Sequence, residues 1–182
     1  DEIEKGLAGG SASSQSDGGT AQRVFASLLT WMQEQRAGVF VAATANRIDA
    51  LPPELLRRGR FDEIFFVDLP AAPARAEILA IHLRKRGRDP ALFALAELAK
   101  ACEGFSGAEI EQALVEALFA AFDRGSELEG QDIAQAMAET TPLSVTSAEE
   151  IGRMRAWAKT RTRPADRATV ERSIPFVGRV RG

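Results

Sequence analysis

The sequence predicts an α/β chain in which a short parallel sheet is followed by an all-helical unit. Three observations predict it. VFVAAT (39–44) and EIFFVDLP (63–70) are short apolar runs with the continuous hydrophobicity of strands buried on both faces. A helical pattern stands ahead of the first run. After Pro70 every periodic segment has helical spacing, and strands followed by a block of helices imply two adjoining domains.

The elements follow in order. DEIEK at the start reads as the end of a strand. The chain opens on Asp1 rather than Met, so a longer protein extending upstream is expected. Residues 6–19, GLAGGSASSQSDGG, are rich in Gly and Ser and are expected to form a mobile loop. From Thr20, a candidate N-cap, Val24, Leu28, Trp31 and Met32 recur at helical spacing as far as Arg36, before Gly38. The strand 39–44 follows, then a loop with Pro52 and Pro53, then LLRRGRFDE (55–63) and the second strand. Ile78, Leu79, Ile81 and Leu83 mark a helix over 74–86. Asp89-Pro90 supplies an N-cap and a first-turn proline for a helix reaching Ala101. Ser106-Gly-Ala-Glu109 is a capping box opening a helix over 107–124 that stops before Gly125. Two more helices are expected at 130–139 and 148–160, the latter opened by a capping box at Ser147-Ala-Glu-Glu150. The expected organisation is 1–70 α/β, 71–141 helical, 142–160 a C-terminal helix, and 161–182 a basic tail.

At 182 residues, with 45% apolar and 27% charged side chains, the chain can bury a real core. Its one cysteine, Cys102, excludes an internal disulfide framework and fits a reducing compartment such as the cytoplasm. No apolar run approaches the roughly 20 residues that span a bilayer, so no membrane partner is expected. Net charge is −3, but the tail from 161 carries six arginines against Asp166 and Glu171. That tail is the one candidate for nucleic-acid contact. With a single aromatic, Phe176, it is poorly supplied for base stacking and reads as a solvated, disordered end.

Asp1 and Glu2 are adjacent carboxylates at a strand's end. One can hold Mg²⁺ while the other orients or deprotonates a water; the same dipeptide is also common on ordinary surfaces. Asn46, after the strand, can point into the crevice where α/β proteins bind ligands, or can simply form a turn. Arg57 and Arg60 bracket Gly59 above Leu55, Leu56 and Phe61. Guanidinium groups so mounted can be projected toward a neighbour's phosphoryl group, or can pair locally with Glu54, Asp62 or Glu63. Arg58 suits the local pairing. His82, the only histidine, sits in a helical stretch where such residues mostly pack or cap. No second His or Cys supports a zinc site.

Taken together, Asp-Glu, a helix, a strand ending in Asn, and ELLRRGRFD resemble the AAA branch of the AAA+ ATPases. DEIEK is similar to the end of the Walker B motif. VFVAATANRIDALPPELLRRGRFD resembles the region carrying sensor 1 and the arginine fingers. GFSGAEIEQAL (104–114) resembles the sensor 2 region, and the His of EILAIHL the lid histidine. Within the branch, DEIEKGLAG, LPPELLRRGRFDEIFFVDLP and PLSVTSAEEIGRMRAWAKTR are most similar to the cyanobacterial and chloroplast group called hypothetical chloroplast reading frame forty-six.

The resemblance implies a partial P-loop NTPase sheet followed by a helical lid. It implies ATP and Mg²⁺, a homo-oligomeric ring, most simply a hexamer, and remodelling of a macromolecule. Asp1 would hold Mg²⁺, Glu2 would polarise the water and Asn46 would be sensor 1. Arg57 and Arg60 would act on the next subunit. Gly107 and Ala108 would lie against the nucleotide with His82 nearby. The loop 6–19 would face a pore. Pro52 and Glu63 depart from the family's usual Asp and Arg. The 182 residues contain no G-x-x-x-x-G-K-[ST] loop, so this stretch alone is expected to bind ATP poorly and to hydrolyse none. Without the strand that leads into such a loop, 39–44 and 64–68 would each expose an apolar edge. The other class of function compatible with the residues is a non-hydrolysing scaffold or regulatory protein of the same shape.

Overall fold

The structure is a computed structural model and describes residues 1–8, 18–34, 38–57 and 59–166. It divides into two compact units, the first ending at Phe65 and the second starting at Phe66.

In the first unit, helix α1 (Ile3–Ala8) packs against helix α2 (Gly18–Glu34). The expected loop is therefore shorter than 6–19: Gly6 to Ala8 continue α1, Gly18 and Gly19 begin α2, and 9–17 lie outside the described residues. Helix α2 presents Val24 and Trp31 to solvent while Leu28 and Met32 are half-buried, so its apolar stripe is only partly covered.

The buried strand expected at 39–44 does not form. Residues 38–45 are neither helix nor strand, and Phe40 is 92% exposed. A strand exists only where its amides and carbonyls find ladder partners. Among the described residues this segment's backbone is tied by Ile3 N–H, which donates to Thr44 O at 3.0 Å. After a short 3₁₀ turn (Ile48–Ala50), Leu51 and Leu55 turn inward and anchor the arginine loop. Gly59 closes that loop at φ 92°, a left-handed conformation that side-chain-bearing residues rarely adopt.

The second expected strand shrinks to β1 (Phe65–Phe66). It pairs with β2 (Arg163–Pro164), where Ala165 N–H donates to Phe66 O at 2.9 Å. A two-residue partner cannot support the eight-residue ladder the sequence suggested, and Val67 faces solvent. Residues 161–166 of the tail expected to be disordered include strand β2. Residues 167–182, including Phe176, lie outside the described residues.

The core lies in the second unit. Helix α3 (Ala72–Lys85) buries Leu79 and Leu83. The single helix expected over 90–101 is two pieces, a 3₁₀ turn (Pro90–Leu92) and helix α4 (Leu95–Ala101). Asp89 does cap, accepting from Ala91 N–H at 3.0 Å. The break falls at Phe93, which turns onto the core instead of continuing the helix. Helix α5 (Gly107–Asp123) buries Ile110, Ala113, Leu114, Ala117 and Ala121, one helical stripe whose alanines let helix α6 (Gly130–Glu139) come close. Its capping box is formed in both directions: Glu109 N–H donates to Ser106 Oγ at 3.3 Å and Ser106 N–H to Glu109 Oε2 at 2.7 Å. A second, unforeseen box joins Glu129 and Asp132 at the start of α6.

Helix α7 (Leu143–Thr146) was not foreseen, and it accounts for the missing cap of helix α8 (Ala148–Ala158). The Ser147 amide ends α7 by donating to Leu143 O at 2.9 Å, with φ −124° and ψ 32°. That backbone is not the extended geometry a capping hydroxyl needs, so the expected box at Ser147–Glu150 is absent. Gly104, at φ 81°, lets α7 approach: a Cβ there would overlap the Ser144 hydroxyl. The Arg155 guanidinium on α8 grips Asp68, Nε lying 3.0 and 2.9 Å from its two carboxylate oxygens.

Among the described residues, one charged side chain sits inside this unit. Arg75 on α3 is 7% exposed, with Nε donating to Ala99 O and Nη1 to Pro70 O, each at 2.8 Å. It satisfies a carbonyl at the end of α4 and fixes the segment leading into α3. No helix among the described residues is long and apolar enough to cross a membrane.

Candidate nucleotide-hydrolysis site

Residues 1–5 and 44–47 form one hydrogen-bonded cluster. Glu2 N–H donates to Thr44 Oγ1 at 3.0 Å, and the Thr44 hydroxyl donates to Asp1 Oδ1. Asn46 Nδ2 donates to Glu2 Oε1 at 2.6 Å, while Lys5 Nζ lies 2.6 Å from Glu2 Oε2. Glu2 itself has φ 50°, a left-handed backbone unusual for a residue with a side chain. Such strain persists only where the surroundings hold it, and it collects at working sites. In the sequence Glu2 and Asn46 stand out separately; the fold brings them into direct contact.

Two members were not foreseen. Thr44 read as the last residue of a strand, yet its hydroxyl bridges the Glu2 amide and the Asp1 carboxylate. Glu4 was not singled out in DEIEK, which read as the end of a strand; it lies in helix α1, is 4% exposed, and its Oε1 accepts from Asn46 N–H at 3.0 Å. That amide, chiefly, holds the Glu4 carboxyl below the usual carboxylate range, against burial, which pushes it up; the Arg47 amide adds to the lowering. Its hydrogen bond to Glu2 raises the Lys5 ammonium above the usual lysine range, helped by the Glu2 charge.

The arginines differ from one another. Arg57 is exposed, and its guanidinium makes no hydrogen bond or ion pair among the described residues. Arg60 is half-buried, with Nη1 donating to the Leu29 carbonyl of α2 at 2.6 Å. Arg58 lies outside the described residues.

The remaining candidates sit in the second unit. His82 is mostly buried, its Nδ1 3.1 Å from Glu111 Oε1, and Arg86 reaches the same oxygen at 2.9 Å. The Arg86 hydrogen bond, chiefly, keeps the Glu111 carboxyl below its usual range, with the charges of His82, Arg86 and Lys85 adding. Gly107 opens α5, where an added Cβ would make ordinary contact with Ile78 at 3.7 Å; Ala108 is exposed. An open groove of about 450 Å³ runs between Arg86, Arg88, Val115, Leu118, Phe119 and Phe122. None of the candidate site residues lines it, so it is distinct from the carboxylate cluster.

Residues 1–69 match the ATPase family associated with various cellular activities (AAA), and residues 93–135 match the AAA+ lid domain. The chain therefore carries part of an AAA P-loop ATPase domain followed by an AAA+ helical lid.

It is similar to a protein of Pyropia yezoensis described as an uncharacterized AAA domain-containing protein, ycf46. The two are 47% identical over 159 residues, which is 87% of this chain and 32% of that protein. It is also similar to the ATP-dependent zinc metalloprotease FtsH 1 of Symbiobacterium thermophilum, 39% identical over 153 residues, 81% of this chain and 25% of the relative. A third relative is the proteasome-activating nucleotidase of Aeropyrum pernix, 48% identical over 88 residues, 48% of this chain and 21% of the relative. The chain thus spans about a third of the length of the ycf46 relative and less of the other two.

The cluster fits the hard cation that such a family implies. Its hard donors are the Asp1 and Glu2 carboxylate oxygens, two acids side by side. That suits Mg²⁺, which keeps several waters and takes one or two protein carboxylates along with substrate phosphates.

Proposed function

We propose that the full-length protein is an AAA+ ATPase that hydrolyses ATP in a ring of identical subunits, most simply a hexamer. Turnover in that ring would drive the remodelling of a protein or another macromolecule. The observation that carries the reading is the 2.6 Å contact between Asn46 Nδ2 and Glu2 Oε1 beside the Asp1 carboxylate. A carboxylate oriented by an amide is what activation of a water for attack on a phosphoryl group requires.

On this reading each residue takes a distinct role. Asp1 would hold Mg²⁺, which when bound supplies charge neutralisation on the phosphate oxygens. Glu2 orients the attacking water and accepts its proton. Asn46 fixes the direction of the Glu2 carboxylate and offers an amide to the water. Arg57, whose guanidinium is unpaired among the described residues, and Arg60, steadied on α2, serve the phosphate of the adjoining subunit. His82, Gly107 and Ala108 would contact the nucleotide from the lid, taken as residues 71–141. A protein working with ATP and carrying one reduced, buried cysteine belongs in the cytoplasm, or in the stroma of a plastid.

The test is Arg60→Ala in the full-length protein. Nucleotide binding should stay near wild type and turnover should fall by about 10³ or more. Turnover within tenfold of wild type removes Arg60 from the role.

A further inference from the structure

We propose that Glu4 is the positioning residue of the Glu2–Asn46 pair, its buried carboxylate holding the Asn46 backbone so that the Asn46 amide meets Glu2. This inference rests on the hydrolytic reading above and adds a residue to it.

Three bonds latch the start of α1 to residues 44–46. Glu2 N–H donates to Thr44 Oγ1 at 3.0 Å, Ile3 N–H to Thr44 O at 3.0 Å, and Asn46 N–H to Glu4 Oε1 at 3.0 Å. Only the third acts on Asn46 itself, and it is the one made by a side-chain carboxylate. With Asn46 Nδ2 on Glu2 Oε1 at 2.6 Å, the contacts close a ring: Glu2, through Ile3 to Glu4, across to the Asn46 amide, and back through the Asn46 side chain. The Asn46 side chain is exposed and has no packing wall of its own, so its direction depends on its backbone.

The second observation concerns the other oxygen of Glu4. Oε2 is buried and accepts no hydrogen bond among the described residues. A buried acceptor left without a donor is costly, and a carboxylate more so than a neutral group. A residue serving only to fill space at this point would be better as Gln or Leu. The carboxylate is explained by the strong, charge-assisted bond it accepts from the Asn46 amide.

The experiment uses the full-length protein with Glu4→Gln, which keeps volume and shape, and Glu4→Ala. Amide hydrogen exchange gives the contact directly: at Asn46 it should speed up about tenfold or more in Glu4→Ala, with α3 to α6 unchanged. Steady-state turnover gives the role. Glu4→Gln should lower kcat about tenfold with KM for ATP within about twofold, because it acts on orientation and not on binding. In an Asn46→Ala background the same change should lower kcat by less than about twofold, since the group it positions is gone. Unchanged exchange at Asn46 in Glu4→Ala overturns the proposal, as do losses in Glu4→Gln and Asn46→Ala that multiply in the double variant. A wild-type protein that turns over no ATP refutes the hydrolytic reading instead, and exchange at Asn46 still decides whether Glu4 holds that backbone.

Discussion

Arg75→Met tests what holds the lid together. The guanidinium is almost wholly buried and makes two bonds of 2.8 Å, to Ala99 O at the end of α4 and to Pro70 O ahead of α3. Hydrogen bonds to charged groups contribute about 1.5–3 kcal/mol each, and methionine leaves both carbonyls without this donor. Against that, the cation no longer has to be kept out of water, a relief of about 1–2 kcal/mol after relaxation. The expected net loss is about 2–4 kcal/mol. The lid carries its own reporter: Cys102 is the only cysteine of the chain, and it is fully buried beside Arg75. Burial holds its thiol above the usual range, so it is protonated at neutral pH and reacts only when the lid opens. Pulsed alkylation across a urea series therefore reads lid unfolding alone, and the midpoint should fall by about 1–2 M for an m-value near 2 kcal/mol/M. Arg75→Lys, which lacks the fork, should fall in between. A midpoint within about 0.3 M of wild type would refute the claim that these two carbonyl bonds organise the lid.

Three further results are expected. Gly104→Ala should cost more than the about 1–2 kcal/mol of a left-handed alanine, because its Cβ also meets the Ser144 hydroxyl; in a Ser144→Gly background the excess should vanish from the thermal midpoint. The Glu111 carboxyl is depressed in the folded lid, so its contribution is present above the usual carboxylate range and is lost as pH falls through the depressed value. Glu111→Gln should accordingly lower the melting temperature more at pH 7 than at pH 3, with high salt narrowing the difference, since Glu111 is partly exposed. Removing the Thr44 hydroxyl with Thr44→Val should lower turnover of the full-length protein by about tenfold or more, because the hydroxyl meets both the Asp1 carboxylate and the Glu2 amide.

The helices of the lid were legible because their causes are local. Ser106 and Glu109 specify a helix start within four residues, and the α5 stripe repeats every three or four. The strands were not legible in the same way. VFVAAT has strand chemistry, but strand formation depends on partners elsewhere in the chain, and the described residues offer one backbone bond to Thr44. Ser147 shows the converse: the motif is present, but the preceding turn α7 had already committed its backbone. At the site, the Asp-Glu pair, Asn46 and the two arginines stood out as residue types with recognisable chemistry. Thr44 and Glu4 did not, because a threonine ending a strand and one more acid within DEIEK carry no mark of their own. Only their three-dimensional partners, forty or so positions away, distinguish them. Arg75 escaped for the same reason: nothing local says that a helical arginine points inward onto carbonyls twenty-four and five residues distant.

Subunit mixing tests the central claim most directly. Full-length Glu2→Gln retains Arg57 and Arg60 but lacks the carboxylate; full-length Arg60→Ala retains the carboxylate but lacks one of the arginines offered to its neighbour. Each alone should turn over ATP about 10³-fold or more below wild type. Assembled together, they should regain a substantial fraction of wild-type turnover, because some interfaces then join an intact carboxylate to an intact arginine. A mixture no more active than the two separate proteins would contradict hydrolysis shared across a subunit interface.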